Sequence, residues 1–298
     1  MTEIGYKNLV RVEWMEEVSI DELQKWVGCS EVVEDVISLS TVAKMSATID
    51  SNPVELKFGA PLPPCWHWLF FNRGVTPEGL RIDGTYADAE YMPPISSPRR
   101  MWAGNKIKNE KPLTVGCSAK RTVTIEEIIE KKGTSGHLIF LRERAEITDE
   151  NGGSLIDWRT LVFRDGTGKF EGQNNLRAPK IKDWSQNINP DPILLFRYSA
   201  LTFNSHRIHY DRDYTQNVEG YPDLLVHAPL TATLLLNLIR KEMPAAEVKE
   251  INLRATAPIF VNQPFSINGT ITNEGKEAEL WAMTKDGNLA MTADILLA

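Results

Sequence analysis

The sequence is poor in cysteine: Cys29, Cys65 and Cys117 are the only three in 298 residues, widely spaced and with no Cys-x-x-Cys pair. An odd, scattered set provides neither a disulfide framework nor a thiolate metal site, and it suits a reducing compartment. Positive charge is also in deficit, with 33 Lys and Arg against 40 Asp and Glu and a net charge of −7. That argues against nucleic acid as a partner. No apolar run approaches the roughly twenty residues of a membrane-spanning helix, so no membrane partner is expected. The stretch Met1 to Ser19 is too acidic and too broken by charge for a signal or transit peptide. The cytoplasm is the expected compartment, with a mitochondrial one left open for a eukaryotic chain. Nucleotide loops are missing too. Gly152-Gly153 and Gly166-Thr167-Gly168 lack the Gly-x-Gly-x-x-Gly spacing, and there is no Gly-x-Ser-x-Gly elbow.

What is there is ordinary for a globular chain, 42% hydrophobic and 24% charged, and long enough for two domains. The most informative stretch is Tyr198 to Arg240. It opens on an alternating segment read as a strand. Asn204, His206 and His209 then fall within six residues, and Val226-His227-Ala228-Pro229 leads into an apolar run. Pro229 suits a first helical turn. Leu230, Ala232, Leu234, Leu235, Leu236, Leu238 and Ile239 cover nearly every face, which marks a buried helix. Arg240, Lys241 and Pro244 end it. The free N–H groups at its start, that of Ala228 above all, suit an oxygen that becomes negative.

Elsewhere, Ser19 to Cys29 reads as a short helix with Ser19 and Glu22 at capping-box spacing. Glu34 to Met45 could be strand or helix. Phe58 to Phe71 (FGAPLPPCWHWLFF) reads as a helix starting after Pro64 and buried at Trp66, Leu69 and Phe70. Lys106 to Thr114 and Ala119 to Ile129 suggest strands joined by a turn at Val115-Gly116. His137 to Thr148 and Leu155 to Arg164 read as a hairpin about Asn151-Gly152-Gly153. Residues 165–192 turn polar and rich in Gly, Asn and Pro, and read as a connector between two domains. Strands are expected at Lys249 to Ala257, Phe265 to Thr272, Glu277 to Thr284 and Leu289 to Leu297. A long buried helix followed by consecutive strands is the α+β pattern.

His209 is the candidate general base, because imidazole titrates near neutrality; the bland alternative is a histidine satisfied by backbone at an element end. Asn204 would orient water, since an amide exchanges no proton; otherwise it is a turn asparagine. His227 more naturally buttresses the helix start than reacts. Metal binding by His206, His209 and His227 is disfavoured by the lack of a helical i, i+4 pair. Arg99 and Arg100 offer forks for phosphate or carboxylate, against ordinary surface pairing.

The segments FNSHRIHYD (203–211), PLPPCWHWLFF (61–71) and SPRRMWAG (97–104) resemble the MaoC-like enoyl-thioester hydratases and dehydratases. Within that group they resemble one branch more, the type 2 hydroxyacyl-thioester dehydratases and the mesaconyl- and itaconyl-CoA hydratases related to them. That family's Asp, Asn, Pro and His places hold Asn204, His206, Arg207 and His209, and its helix-start Gly place holds Ala228. Asn in place of Asp is the main departure. The resemblance implies a double hot-dog fold, two antiparallel sheets each wrapped on a long helix. Residues 1–164 would form a degenerate first half, 165–192 the linker and 193–298 the catalytic half.

It further implies hydration or dehydration of an acyl-CoA substrate without a cofactor, with Ala228 N–H as oxyanion hole. His206, His227, Arg99, Arg100, Trp102 and Arg207 would line the substrate site. A C5-dicarboxylic ester such as mesaconyl-C4-CoA or itaconyl-CoA is favoured by the arginines. A fatty 3-hydroxyacyl thioester is the alternative, with Trp66, Trp68, Phe70 and Phe71 as its tunnel. A hot-dog thioesterase and a non-catalytic acyl-CoA-binding module stand as readings of other classes. A homodimer is the expected assembly.

Overall fold

The computed structural model describes residues 18–50, 56–86, 91–95, 99–133, 136–164 and 176–298. Ser19 caps α1 (Ile20–Gln24), its hydroxyl accepting the Glu22 N–H, but the helix lasts five residues rather than reaching Cys29. The ambiguous stretch after Glu34 divides into β1 (Ser30–Val36) and α2 (Leu39–Ile49), with Ser38 as the cap between them. The helix expected after Pro64 is a single 3-10 turn, Trp66–Leu69. Left-handed residues bracket it, Cys65 at φ 67° and Phe71 at φ 62°. The Phe71 N–H, which a longer helix would use internally, donates instead to the Asp35 carboxylate at 2.7 Å.

Four strands follow as expected: β2 (Arg99–Lys111), β3 (Ser118–Gly133), β4 (Gly136–Asp149) and β5 (Ser154–Arg164). β4 and β5 pair as the anticipated hairpin, while β2 and β3 are joined in sequence but not paired. The expected connector 165–192 needs correction. Trp184–Ile188 within it is a strand, β6, paired with the later β8; residues 165–175 lie outside the described residues. The alternating segment at Tyr198 that reads as a strand belongs to a helix, α3 (Pro192–Leu201). Asp191 accepts the Leu194 N–H and Pro192 occupies the first turn, so the chain is committed to helix before its side-chain alternation matters. A short α4 (Arg212–Asn217) and α5 (Ala228–Glu242) precede β7 (Val248–Ala255), β8 (Phe265–Thr272), β9 (Glu277–Thr284) and β10 (Leu289–Leu297).

The first five strands lie in the order β1-β3-β4-β5-β2, and the last five repeat it as β6-β8-β9-β10-β7. This repeated permutation is the double hot-dog expected. One feature differs from the expectation. β2 and β7 pair antiparallel, from Gly104 opposite Arg254 to Lys108 opposite Glu250, so both sheets form one ten-stranded sheet. Among the described residues the longest helix of the first half is the eleven-residue α2, and that of the second is the fifteen-residue α5. Every residue of α5 from Leu230 to Ile239 is buried, and the helix packs on β6, β8, β9 and β10. Each fully buried leucine contributes about 1.5–3 kcal/mol. At the seam a Cβ on Gly104 would stand 2.0 Å from the Leu253 carbonyl oxygen, so only glycine lets the halves approach so closely.

Candidate active site

At the end of α3 the chain reverses through Phe203, at φ 49°. The Asn204 N–H donates to the Ser199 carbonyl at 2.8 Å, and its Oδ1 accepts the His206 N–H at 3.0 Å. This Asx turn consumes the amide oxygen and leaves the amide NH2 as a donor. A 3-10 turn, Arg207–His209, then presents His209. Its Nδ1 lies 2.8 Å from the Leu225 carbonyl. A carbonyl only accepts, so Nδ1 carries the proton and Nε2 holds the lone pair. Leu225 also donates its N–H to Ile208, and Val226 donates to Ile259, which fixes the entry to α5. His227 stands at that helix's cap and Ala228 is its first residue. From the first half, the Asp83 carbonyl accepts the Arg207 N–H and the Gly84 carbonyl accepts the Ser205 hydroxyl.

The imidazoles of His209 and His227 stack, with centroids 3.6 Å apart and planes 19° from parallel; His206 meets His209 edge-on at 5.6 Å. His227 Nε2 pairs with the Ser199 hydroxyl at 2.8 Å, while its buried Nδ1 has no partner among the described residues. His227 therefore buttresses the His209 ring by stacking, rather than the helix start by hydrogen bonding. Burial, reinforced by His206, pushes His209 down to about 3. Burial and the Arg100 charge take His206 to about 4 against the pull of Asp83, and burial holds His227 well below its usual value. All three are neutral at pH 7. Stacked rings cannot converge their lone pairs on one ion, and the described residues contain no cluster of three or more His, Cys, Asp or Glu suited to a metal.

These groups open on a cavity of about 790 Å³ lined by Asn204, His206, His209, His227 and Ala228 from the second half. The first half supplies the facing wall, including Trp68, Phe70, Phe71, Arg100 and Trp102; Trp66 is instead buried in the core. Trp102 donates its indole N–H to Asn105. The side chain of Arg99 lies outside the described residues. Arg207 is not among the described residues that line it. Its guanidinium is held by Asp211 at 2.7 and 3.0 Å, by the Ile82 carbonyl, and 3.9 Å above the Tyr214 ring.

Several lining residues went unnoticed in the sequence. Asp157 is buried and accepts from Trp68 and Asn105 while pairing with His67 at 3.0 Å; those partners hold its pKa low against the opposing effect of burial. Arg121, Glu143 and Arg159 project into the same cavity from β3, β4 and β5. The clue was present as charges at alternate positions, such as Asp157 and Arg159, but both faces of these strands carry charge, so alternation alone could not say which face is inside.

Residues 65–261 match the family model described as hydroxyacyl-thioester dehydratase type 2. A mesaconyl-C(4)-CoA hydratase of Chloroflexus aurantiacus is 36% identical over 273 residues, covering 91% of this chain and 96% of that protein. A mitochondrial hydroxyacyl-thioester dehydratase type 2 of Schizosaccharomyces pombe is 28% identical over 79% of this chain and 88% of its own length. Among solved structures, a MaoC-like dehydratase from Phytophthora capsici superposes with a TM-score of 0.65 at 14% identity, over 94% of this chain and 99% of its own. A Mycobacterium tuberculosis protein described as a double hot-dog fold gives 0.59 at 10% identity, over 91% and 96%.

Proposed function

The chain belongs to the hydroxyacyl-thioester dehydratase type 2 family, and on that premise we propose that it reversibly hydrates a C5-dicarboxylic enoyl-CoA of the mesaconyl-C4 kind. The observation that carries the reading is the shared cavity: an unpartnered imidazole lone pair at His209, an amide donor at Asn204 and the start of α5 at Ala228 all open on it. The thioester oxygen accepts the Ala228 N–H, which together with the helix N-terminus stabilises the enolate. Water receives a hydrogen bond from the Asn204 amide and gives its proton to His209 Nε2 as its oxygen bonds the β-carbon. The imidazolium then returns that proton to the α-carbon, so the elements of water are added and the base is regenerated. Every step uses the chain's own groups. Elimination of water from a 3-hydroxyacyl thioester is the same path reversed.

The free thiols of Cys29, Cys65 and Cys117 suit the cytoplasm as the place of work. Mass spectrometry of mesaconyl-C4-CoA incubated with the protein should show the gain of one water. His209→Ala should lower kcat by about 10² to 10⁴ with unchanged circular dichroism. Near-normal turnover by that variant would discard the assignment of the base.

A further inference from the structure

Among the described residues five carboxylates line the cavity, and each already has a donor. Glu31 is held by Arg73, Asp83 by Thr85, and Glu219 by Tyr214. Asp157 is engaged as described above. Glu143 accepts from Arg159 at 2.5 and 2.6 Å and from Tyr91 at 2.8 Å. Two of the lining arginines are in the opposite condition. Arg100 has no hydrogen bond or ion pair among the described residues, and its Cζ lies 5.6 Å from the Tyr86 ring centroid. Arg121 sits 5.5 Å from the Phe71 ring, and its Nε is fully buried with no hydrogen-bond partner. Burial is the largest influence on both and lowers their pKa, against the opposing pull of Glu143. Glu143 acts on both from a distance but is hydrogen-bonded to Arg159, so neither guanidinium has a carboxylate in contact among the described residues.

A half-buried charge with no contacting partner is costly, and two of them in one wall suit an anion brought from outside. Their position says which anion. Arg100 is near enough to His206 for its charge to depress that imidazole, which places the positive wall beside the proton-transfer groups. In the pose proposed above, with the thioester carbonyl at Ala228 and the β-carbon beside His209, an anion held near His206 would be one borne on the β-carbon. We propose that Arg100 and Arg121 form the seat of a carboxylate carried on the β-carbon of the substrate and thereby select dicarboxylic over monocarboxylic acyl groups. The inference rests on the hydratase reading and names the residues that confer its specificity. Neither arginine takes or gives a proton; they fix where the β-carbon lies.

The test compares two CoA esters of one shape. Mesaconyl-C4-CoA carries a carboxylate on its β-carbon, and 3-methylcrotonyl-CoA carries a methyl group there. The wild-type protein should favour the first in kcat/KM by about a hundredfold or more. Arg121→Met and Arg100→Met should each lower the ratio of kcat/KM for mesaconyl-C4-CoA over that for 3-methylcrotonyl-CoA by about a hundredfold. Wild-type indifference between the esters would overturn the seat without recourse to any variant, as would variants that keep the preference. Equal losses on both esters would also overturn it, since the CoA phosphates are common to the two. Wild-type protein that hydrates neither ester would instead sink the hydratase reading itself.

Discussion

The proton that His209 Nδ1 donates to the Leu225 carbonyl decides what this histidine can do, because it leaves Nε2 as the sole lone pair. Burial then keeps the ring neutral, so the acceptor is available without a prior deprotonation. The same burial links the site to stability. The unfolded chain protonates His206, His209 and His227 near 6.5, whereas the folded chain holds them down, His206 to about 4 and His209 to about 3. Between those limits the unfolded state binds more protons, so stability is full above about 6.5 and falls as pH drops through the window. Urea unfolding at pH 7 and pH 5 should show a lower midpoint at pH 5, and His206→Asn should reduce the difference. A midpoint insensitive to pH would mean the rings are not kept neutral. At this scale the spacing of Asn204, His206 and His209 was legible, since a turn brings neighbours in sequence together. Arg121 and Asp157 were not, because their partners lie on other strands and only sheet register brings them to one face.

Among the elements, α5 was readable to within a residue because its signals are local: a proline in the first turn, cations in the last and an apolar run between. Its burial makes it the most sensitive element. Leu235→Ala, at a position with no exposure, should cost about 2–5 kcal/mol in chemical denaturation. A loss under about 1 kcal/mol would show that the helix is not the core of the second half. α3 was misread because the Asp191-Pro192 signal that starts it sits inside a polar stretch that otherwise looks like linker. β6 was lost in the same stretch: Trp184–Ile188 has alternating exposure but little apolar content, as an edge strand with one side open to water can. The turn at Trp66–Leu69 failed in the other direction. Its composition suits a helix, and the distant Asp35 carboxylate takes the N–H that would have extended it.

Across the whole molecule, two copies of one strand permutation meet at β2 and β7, and Gly104 is where their backbones come closest. Gly104→Ala should separate the strands locally, lower the melting temperature and impair turnover together, because the cavity draws residues from both sides of that seam. Calorimetry and an initial-rate assay on one preparation would check it; an alanine variant unchanged in both would remove the seam from the account. The repeat itself could not be read along the chain, since the copies share an order of pairing rather than matching residues.

The backbone at Asp83 and Gly84 grips the turn that carries Ser205 and Arg207. All the groups proposed to react belong to the later copy, but the earlier one keeps hold of the loop that carries them. A later copy made alone would therefore have every reagent and no steady aim, with β7 left as a bare edge. On the proposed mechanism, the earlier copy is the jig in which the later one is clamped.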